Sequence, residues 1–374
     1  MVHRRQFLAG VAALALVGAC SDDDSGDGNG DSGERTSPSD GDTSGQPSDT
    51  PDGQVKPTVA TTVVDGMNVP WAIVFLPNGD ALVSERDTAR IVRVSANGRT
   101  SVLGKVPDVA PSSGFGEGGL LGLALDPDDA ATLYAYHTTS DDNRIVRIGI
   151  GGGHLGRPEP ILTGIPASTH HNGGSLMFGP DNMLYASTGD AESQERAQDR
   201  NNLGGKILRI RPNGNAAPDN PFDNEVWTYG HRNVEGLAFD DDGQLWASEF
   251  GDAEFDELNL IERGNNYGWP EVEGVGGDDY TDPVNTWSPA KCSPAGLAVA
   301  RGNAFLGALR GERLISVPLR GKRTGKPSAW FVGEYGRIRG VVVAPDGALW
   351  VTTSNTDGRS EPGPDDDKIL RVTL

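Results

Sequence analysis

The chain has 374 residues, enough for one large domain or two ordinary ones. Its 53 acidic and 32 basic residues give a formal net charge of -21, which argues against nucleic acid as a partner. Gly (52) and Pro (25) are abundant, strand-type residues recur between them and long helical patterns are absent, which favours an all-β protein. Only Cys20 and Cys292 are present, so no disulfide framework is implied, and Cys292 reads as a buried structural thiol.

The chain opens on Arg4-Arg5-Gln6-Phe7-Leu8, a charged segment of twin-arginine type, followed by an apolar run too short to span a bilayer. The run ends Leu16-Val17-Gly18-Ala19-Cys20, which resembles a bacterial lipobox. Residues 1–20 are therefore expected to be a lipoprotein signal peptide. Lipidated Cys20 would tether an exported protein to the outer face of the bacterial cytoplasmic membrane. Residues 21–56 are Asp, Ser, Gly, Thr and Pro with almost no apolar side chains. Such a tract cannot bury enough surface to offset its ordering entropy and reads as a disordered, acidic tether.

From residue 57 onward a two-part unit recurs. The first part is a turn and an apolar strand, as in Pro77-Asn78-Gly79-Asp80-Ala81-Leu82-Val83-Ser84, Asp241-Asp242-Gly243-Gln244-Leu245-Trp246-Ala247-Ser248 and Pro345-Asp346-Gly347-Ala348-Leu349-Trp350-Val351-Thr352. The second is another strand, as in Ile91-Val92-Arg93-Val94, Ile145-Val146-Arg147-Ile148 and Ile369-Leu370-Arg371-Val372. Six copies of each interleave at the spacing expected of propeller blades. Residues 57–374 are thus expected to form a six-bladed β-propeller of four-stranded antiparallel blades. The early strand at residues 59–64 would complete the sheet that ends the chain.

Function in a propeller sits on loops at the mouth of the central channel. Four equivalent connections carry the unusual residues: Glu117 in a Gly-rich run, His170-His171-Asn172-Gly173-Gly174, Gly230-His231-Arg232-Asn233-Val234-Glu235, and Arg337-Ile338-Arg339. Several Arg facing one channel invite an anion. A further tract, Gly251-Asp252 to Asp256-Glu257 and on to Tyr267, joins carboxylates to Gly-rich turns and suits a hard cation such as Ca²⁺.

Taken together, His171-Asn172-Gly173-Gly174, Gly230-His231-Arg232-Asn233, Asp256-Glu257-Leu258-Asn259, Asn266-Tyr267-Gly268-Trp269-Pro270 and Arg337-Ile338-Arg339 resemble the glucose/sorbosone dehydrogenases, soluble quinoproteins that oxidise aldoses. The resemblance implies pyrroloquinoline quinone (PQQ) and Ca²⁺ in the channel mouth, a sugar as substrate, and a separate electron acceptor. It makes His171 the general base and Arg232 the group that stabilises developing charge. It gives Asn233, Arg310, Arg337 and Arg339 to the cofactor, and Glu117 and His170 to the substrate. It gives Gly251 and Asp252 to a cofactor-side Ca²⁺, and Asp256, Glu257 and the Tyr267 carbonyl to a structural one.

Several positions depart from the family pattern. Glu117 replaces a Gln, His170 an Asp or Asn, Glu235 a Gln, Asp252 a Pro and Arg310 a Lys. The added carboxylates are expected to oppose an anionic cofactor unless a cation compensates. A sugar- or Ca²⁺-binding propeller without the quinone, and a Ca²⁺-dependent propeller lactonase, are the other readings these residues leave open.

Overall fold

The computed structural model describes residues 55–110 and 116–374. The expected signal segment lies outside the described residues, as does the tether apart from Val55 and Lys56.

Six antiparallel sheets follow one another, each with four strands on its main path. Blade 1 runs Pro70–Phe75, Ala81–Glu85, Arg90–Val94 and Thr100–Lys105. Blade 2 begins at Leu120–Leu125, blade 3 at Leu176–Phe178, blade 4 at Asn233–Phe239 and blade 5 at Pro294–Ala300. Blade 6 takes Ile338–Val343, Leu349–Thr353 and Ile369–Thr373 from one end of the sequence and Thr58–Val64 from the other. Thr58 pairs with Thr373 and Val64 with Ile369, closing the ring as expected. Helix is confined to two short 3₁₀ turns, Gln194–Ala197 and Pro289–Lys291, among the described residues.

Strand alternation explains why both faces of each blade are apolar. In blade 1, Ala81, Val83 and Val92 pack towards blade 6, against Trp350 and Ile369. Their neighbours Leu82 and Ile91 pack towards blade 2, against Leu123, Leu133 and Val146. The same arrangement gives each blade interface its own core cluster. Cys292 belongs to the one between blades 4 and 5, fully buried and unpaired.

The repeated hydroxyl near the end of the second strand has a common role in three blades. Ser84 Oγ donates to the Leu121 carbonyl at 2.6 Å, Ser187 Oγ to Val234 at 2.7 Å and Ser248 Oγ to Ala295 at 2.6 Å. Each acceptor lies on the innermost strand of the next blade. Ser84 and Ser187 also accept an N–H from just before or within their own blade's innermost strand, from Ala72 and Ser175. These fully buried bridges set the inner strands where they enter the channel.

Candidate active site

In an antiparallel blade the second-to-third connection and the connection to the next blade emerge at the same end. Both kinds of loop therefore meet at one mouth of the channel. The channel itself is a cavity of about 510 Å³ lined by the innermost strands, from Trp71 to Val343. A second cavity of about 360 Å³ opens at the mouth, where Arg310, Arg337, Arg339 and Arg359 face Glu117 and Glu235. Glu235 lines both cavities.

The charges in the mouth are largely paired. Arg339 Nη1 lies 2.7 Å from Glu235 Oε2, and its Nε donates to Ser354 at 3.2 Å. Burial pushes the Glu235 carboxyl up from its ordinary value, against the pull of Arg339. Arg337 donates through Nε and Nη2 to one oxygen of Asp357, at 3.0 and 2.9 Å. Burial alone would raise Asp357, but Arg337 and Arg339 outweigh it and hold the carboxyl below its usual range. Arg359 Nη2 meets Glu117 Oε1 at 3.1 Å. Glu117 and Glu235, which both depart from the family pattern, thus each have a guanidinium against them. Arg310 is exposed and has no ion pair among the described residues. Four guanidinium groups around two carboxylates suit a small multivalent anion.

His171 stands beside this pocket, its side chain 18% exposed. Its Nδ1 lies 2.8 Å from Oδ1 of Asp190, which is 1% exposed. A carboxylate only accepts, so the proton of that bond sits on Nδ1 and the Nε2 lone pair is left for a substrate. The other Asp190 oxygen accepts the Trp269 indole N–H at 2.8 Å, and Oδ1 also accepts the Glu192 N–H at 2.9 Å. Asn233 ties this loop to the pocket: its Oδ1 accepts from Gly173 N at 2.9 Å and its Nδ2 lies 3.4 Å from Glu235. His170 Nδ1 lies 2.9 Å from the half-exposed Glu192, and its ring centroid is 6.4 Å from that of His171.

Arg232 lies across the face of Trp269, its Cζ 5.3 Å from the ring centroid. Its Nη1 donates to the Gly251 carbonyl at 2.6 Å and its Nη2 to Asp252 at 2.8 Å, while buried Nε has no partner. The Gly251 carbonyl and Asp252 carboxylate therefore already converge on a cation. The loop carrying them is held from one point: Glu273 Oε1 accepts the N–H groups of Asp252, Ala253, Glu254 and Phe255 at 2.7–3.0 Å.

The remaining metal candidates do not gather as one set. Asp256 and Glu257 are consecutive strand residues and face opposite sides of blade 4. Asp256 accepts from Gly251 N at 3.1 Å and Ser293 N at 2.6 Å. Glu257 faces Glu249 across the strand pair and accepts from Gly274 N at 2.8 Å. Asn259 Nδ2 donates to both carboxylates, leaving its buried Oδ1 without a partner. Burial, then the charge of Glu249, pushes Glu257 up to about 8. Tyr267 stacks on His231 with ring centroids 4.7 Å apart. No cluster of three or more His, Cys, Asp or Glu poised for a metal occurs among the described residues.

Sequence reasoning assigned no role to Asp190, Trp269, Glu273 or Arg359. For Asp190 a signal existed. His231 Nδ1 meets Glu249 at 2.8 Å in the next blade, 18 residues on, against 19 between His171 and Asp190. The same histidine–carboxylate device occurs twice. In the second copy Thr228 occupies Nε2 at 2.9 Å and the ring is fully buried, so only the first is open to a ligand.

The family model for glucose/sorbosone dehydrogenase matches residues 67–370. The aldose sugar dehydrogenase YliI of Escherichia coli is 30% identical over 338 residues, covering 79% of this chain and 89% of that protein. Quinoprotein glucose dehydrogenase B of Acinetobacter calcoaceticus is 31% identical over 274 residues, covering 63% of this chain and 57% of that one. The solved PQQ-bound form of an aldose sugar dehydrogenase from Streptomyces coelicolor superposes with a TM-score of 0.83 at 50% identity, covering 86% and 99%. The six-bladed ring, a histidine–aspartate pair beside an arginine-lined mouth and a match across nearly all of the described residues converge: the chain is an enzyme of the glucose/sorbosone dehydrogenase family.

Proposed function

We propose that this protein is an exported quinoprotein that oxidises an aldose at C1 to its lactone, with His171 as general base. The observation that carries the reading is the His171–Asp190 pair, whose His171 N–H is held by Glu117, a lining residue of a cavity that also carries four arginines. The donor set fits PQQ, whose carboxylates would be held by Arg310, Arg337, Arg339 and Arg359, with Asn233 beside them. When bound, PQQ supplies the hydride acceptor for the C1 hydrogen.

The protein's own part is acid–base and electrostatic. Nε2 of His171 takes the proton of the C1 hydroxyl while Asp190 fixes the ring and stabilises the imidazolium that results. Arg232 places a positive charge over the site, in a setting where a fixed cation is worth far more than in water. The Gly251 carbonyl and Asp252 carboxylate would hold a Ca²⁺ in place of the guanidinium they now bind. Glu257 with the Tyr267 carbonyl would hold a second, with the unpartnered Asn259 oxygen close by. The enzyme passes its electrons to an acceptor it does not itself carry.

The purified chain, loaded with PQQ and Ca²⁺, is expected to show a bound-quinone absorbance and to reduce a redox dye with aldoses. A chain that gives neither at saturating cofactor overturns this reading and leaves a binding propeller or a lactonase. The tether is a separate proposal resting on the lipobox-like Leu16–Cys20 segment. Cys20→Ala should move the protein from the membrane to the soluble fraction on cell fractionation, and unchanged membrane association would refute lipidation at Cys20.

A further inference from the structure

His171 has φ 58°, in the left-handed region that a residue with a Cβ seldom occupies. Something outside the residue must hold it there. Its carbonyl accepts from Ala191 N at 3.1 Å. Its own N–H donates to Glu117 Oε2 at 2.8 Å, across 54 positions of sequence. Glu117 returns the contact through its backbone, its N–H donating to the Thr169 carbonyl at 2.8 Å. The connection into blade 2 thus grips the connection into blade 3 at two points, one of them the backbone of His171. The second oxygen of Glu117 meets Arg359, 242 positions away, in blade 6.

We propose that Glu117 is a positioning residue: its carboxylate fixes the backbone of His171 in the left-handed conformation and ties that backbone to the arginine-lined pocket through Arg359. The proposal rests on the reading of His171 as the base. Both Glu117 oxygens are engaged by protein groups, which sets the residue apart from one presented to the sugar. It also accounts for a carboxylate here rather than an amide. An amide can still accept from the His171 N–H, but its NH₂ then faces the Arg359 guanidinium, donor against donor.

Glu117→Gln and Glu117→Ala separate the two contacts. Glu117→Ala, which frees the His171 N–H, is expected to lower kcat by about 10- to 100-fold while KM for the sugar moves less than about threefold, since misplacing a catalytic group costs rate. Glu117→Gln should recover most of that kcat. Hydrogen–deuterium exchange of the full chain supplies a readout independent of turnover. The His171 amide should exchange at least about tenfold faster in Glu117→Ala and stay near the wild-type rate in Glu117→Gln. Should Glu117→Ala fail to fold, Glu117→Asp takes its place, because one methylene less cannot reach both partners. A raised KM with unchanged kcat in these variants would make Glu117 a sugar contact and overturn the proposal, as would an unchanged His171 amide. A wild-type chain that reduces no dye overturns the quinoprotein reading alone, because the exchange measurement still decides the clamp.

Discussion

His171→Gln is expected to lower kcat by about a thousandfold, the order a positioned general base contributes, while leaving the cofactor bound. Gln is close to His in length but has no lone pair of comparable basicity at the Nε2 position. The buried Asp190 and Trp269 that orient the ring remain in place. The arginines facing the mouth cavity are untouched, so the absorbance titration of PQQ should match that of the wild type. Steady-state dye reduction with a saturating aldose measures the loss. A kcat within threefold of the wild type would place the base elsewhere.

Gly189→Ala should damage both stability and rate without altering any polar group. A Cβ at residue 189 would stand 2.0 Å from the His171 carbonyl oxygen and 2.8 Å from Asn233 Oδ1. The obstacle is backbone, so the two segments must separate, and overpacking of this kind costs about 1–3 kcal/mol. Separation there displaces the base, and kcat should fall by about a hundredfold. Thermal unfolding and kcat on the same preparation test this. Gly149→Ala is the control: nothing lies within 4 Å of its added Cβ, and both quantities should hold.

The ring was legible in the sequence because each blade writes its own turn chemistry. Pro77-Asn78-Gly79-Asp80 and Pro345-Asp346-Gly347 mark bends between strands that alternate, and the repeat sets their order. His171, Arg232, Arg337 and Arg339 stood out because they occupy equivalent connections of that repeat. Contacts that join distant parts of the chain were not legible. Asp190 and Trp269 are 79 positions apart, and Glu117 and Arg359 are 242 apart. The family resemblance showed that carboxylates stand at Glu117 and Glu235 where that family has amides. It could not show that each meets a guanidinium, because that depends on how blades 2, 4 and 6 converge. The expectation that Asp256 and Glu257 would serve one metal passed over strand alternation, which turns adjacent side chains apart.

The pairing of Thr58–Val64 with Ile369–Thr373 also sets a timetable. The first strand of the ring waits for its last, with five complete blades synthesised in between. Until then the ring is an open arc whose terminal sheet lacks its outer strand and offers a bare edge to any other extended chain. Contacts of such long sequence separation form late and slowly. The nascent protein is therefore most exposed to mispairing just before Ile369–Thr373 is made, and a substitution in Thr58–Val64 should reduce yield in the cell more than it reduces the activity of the molecules that close.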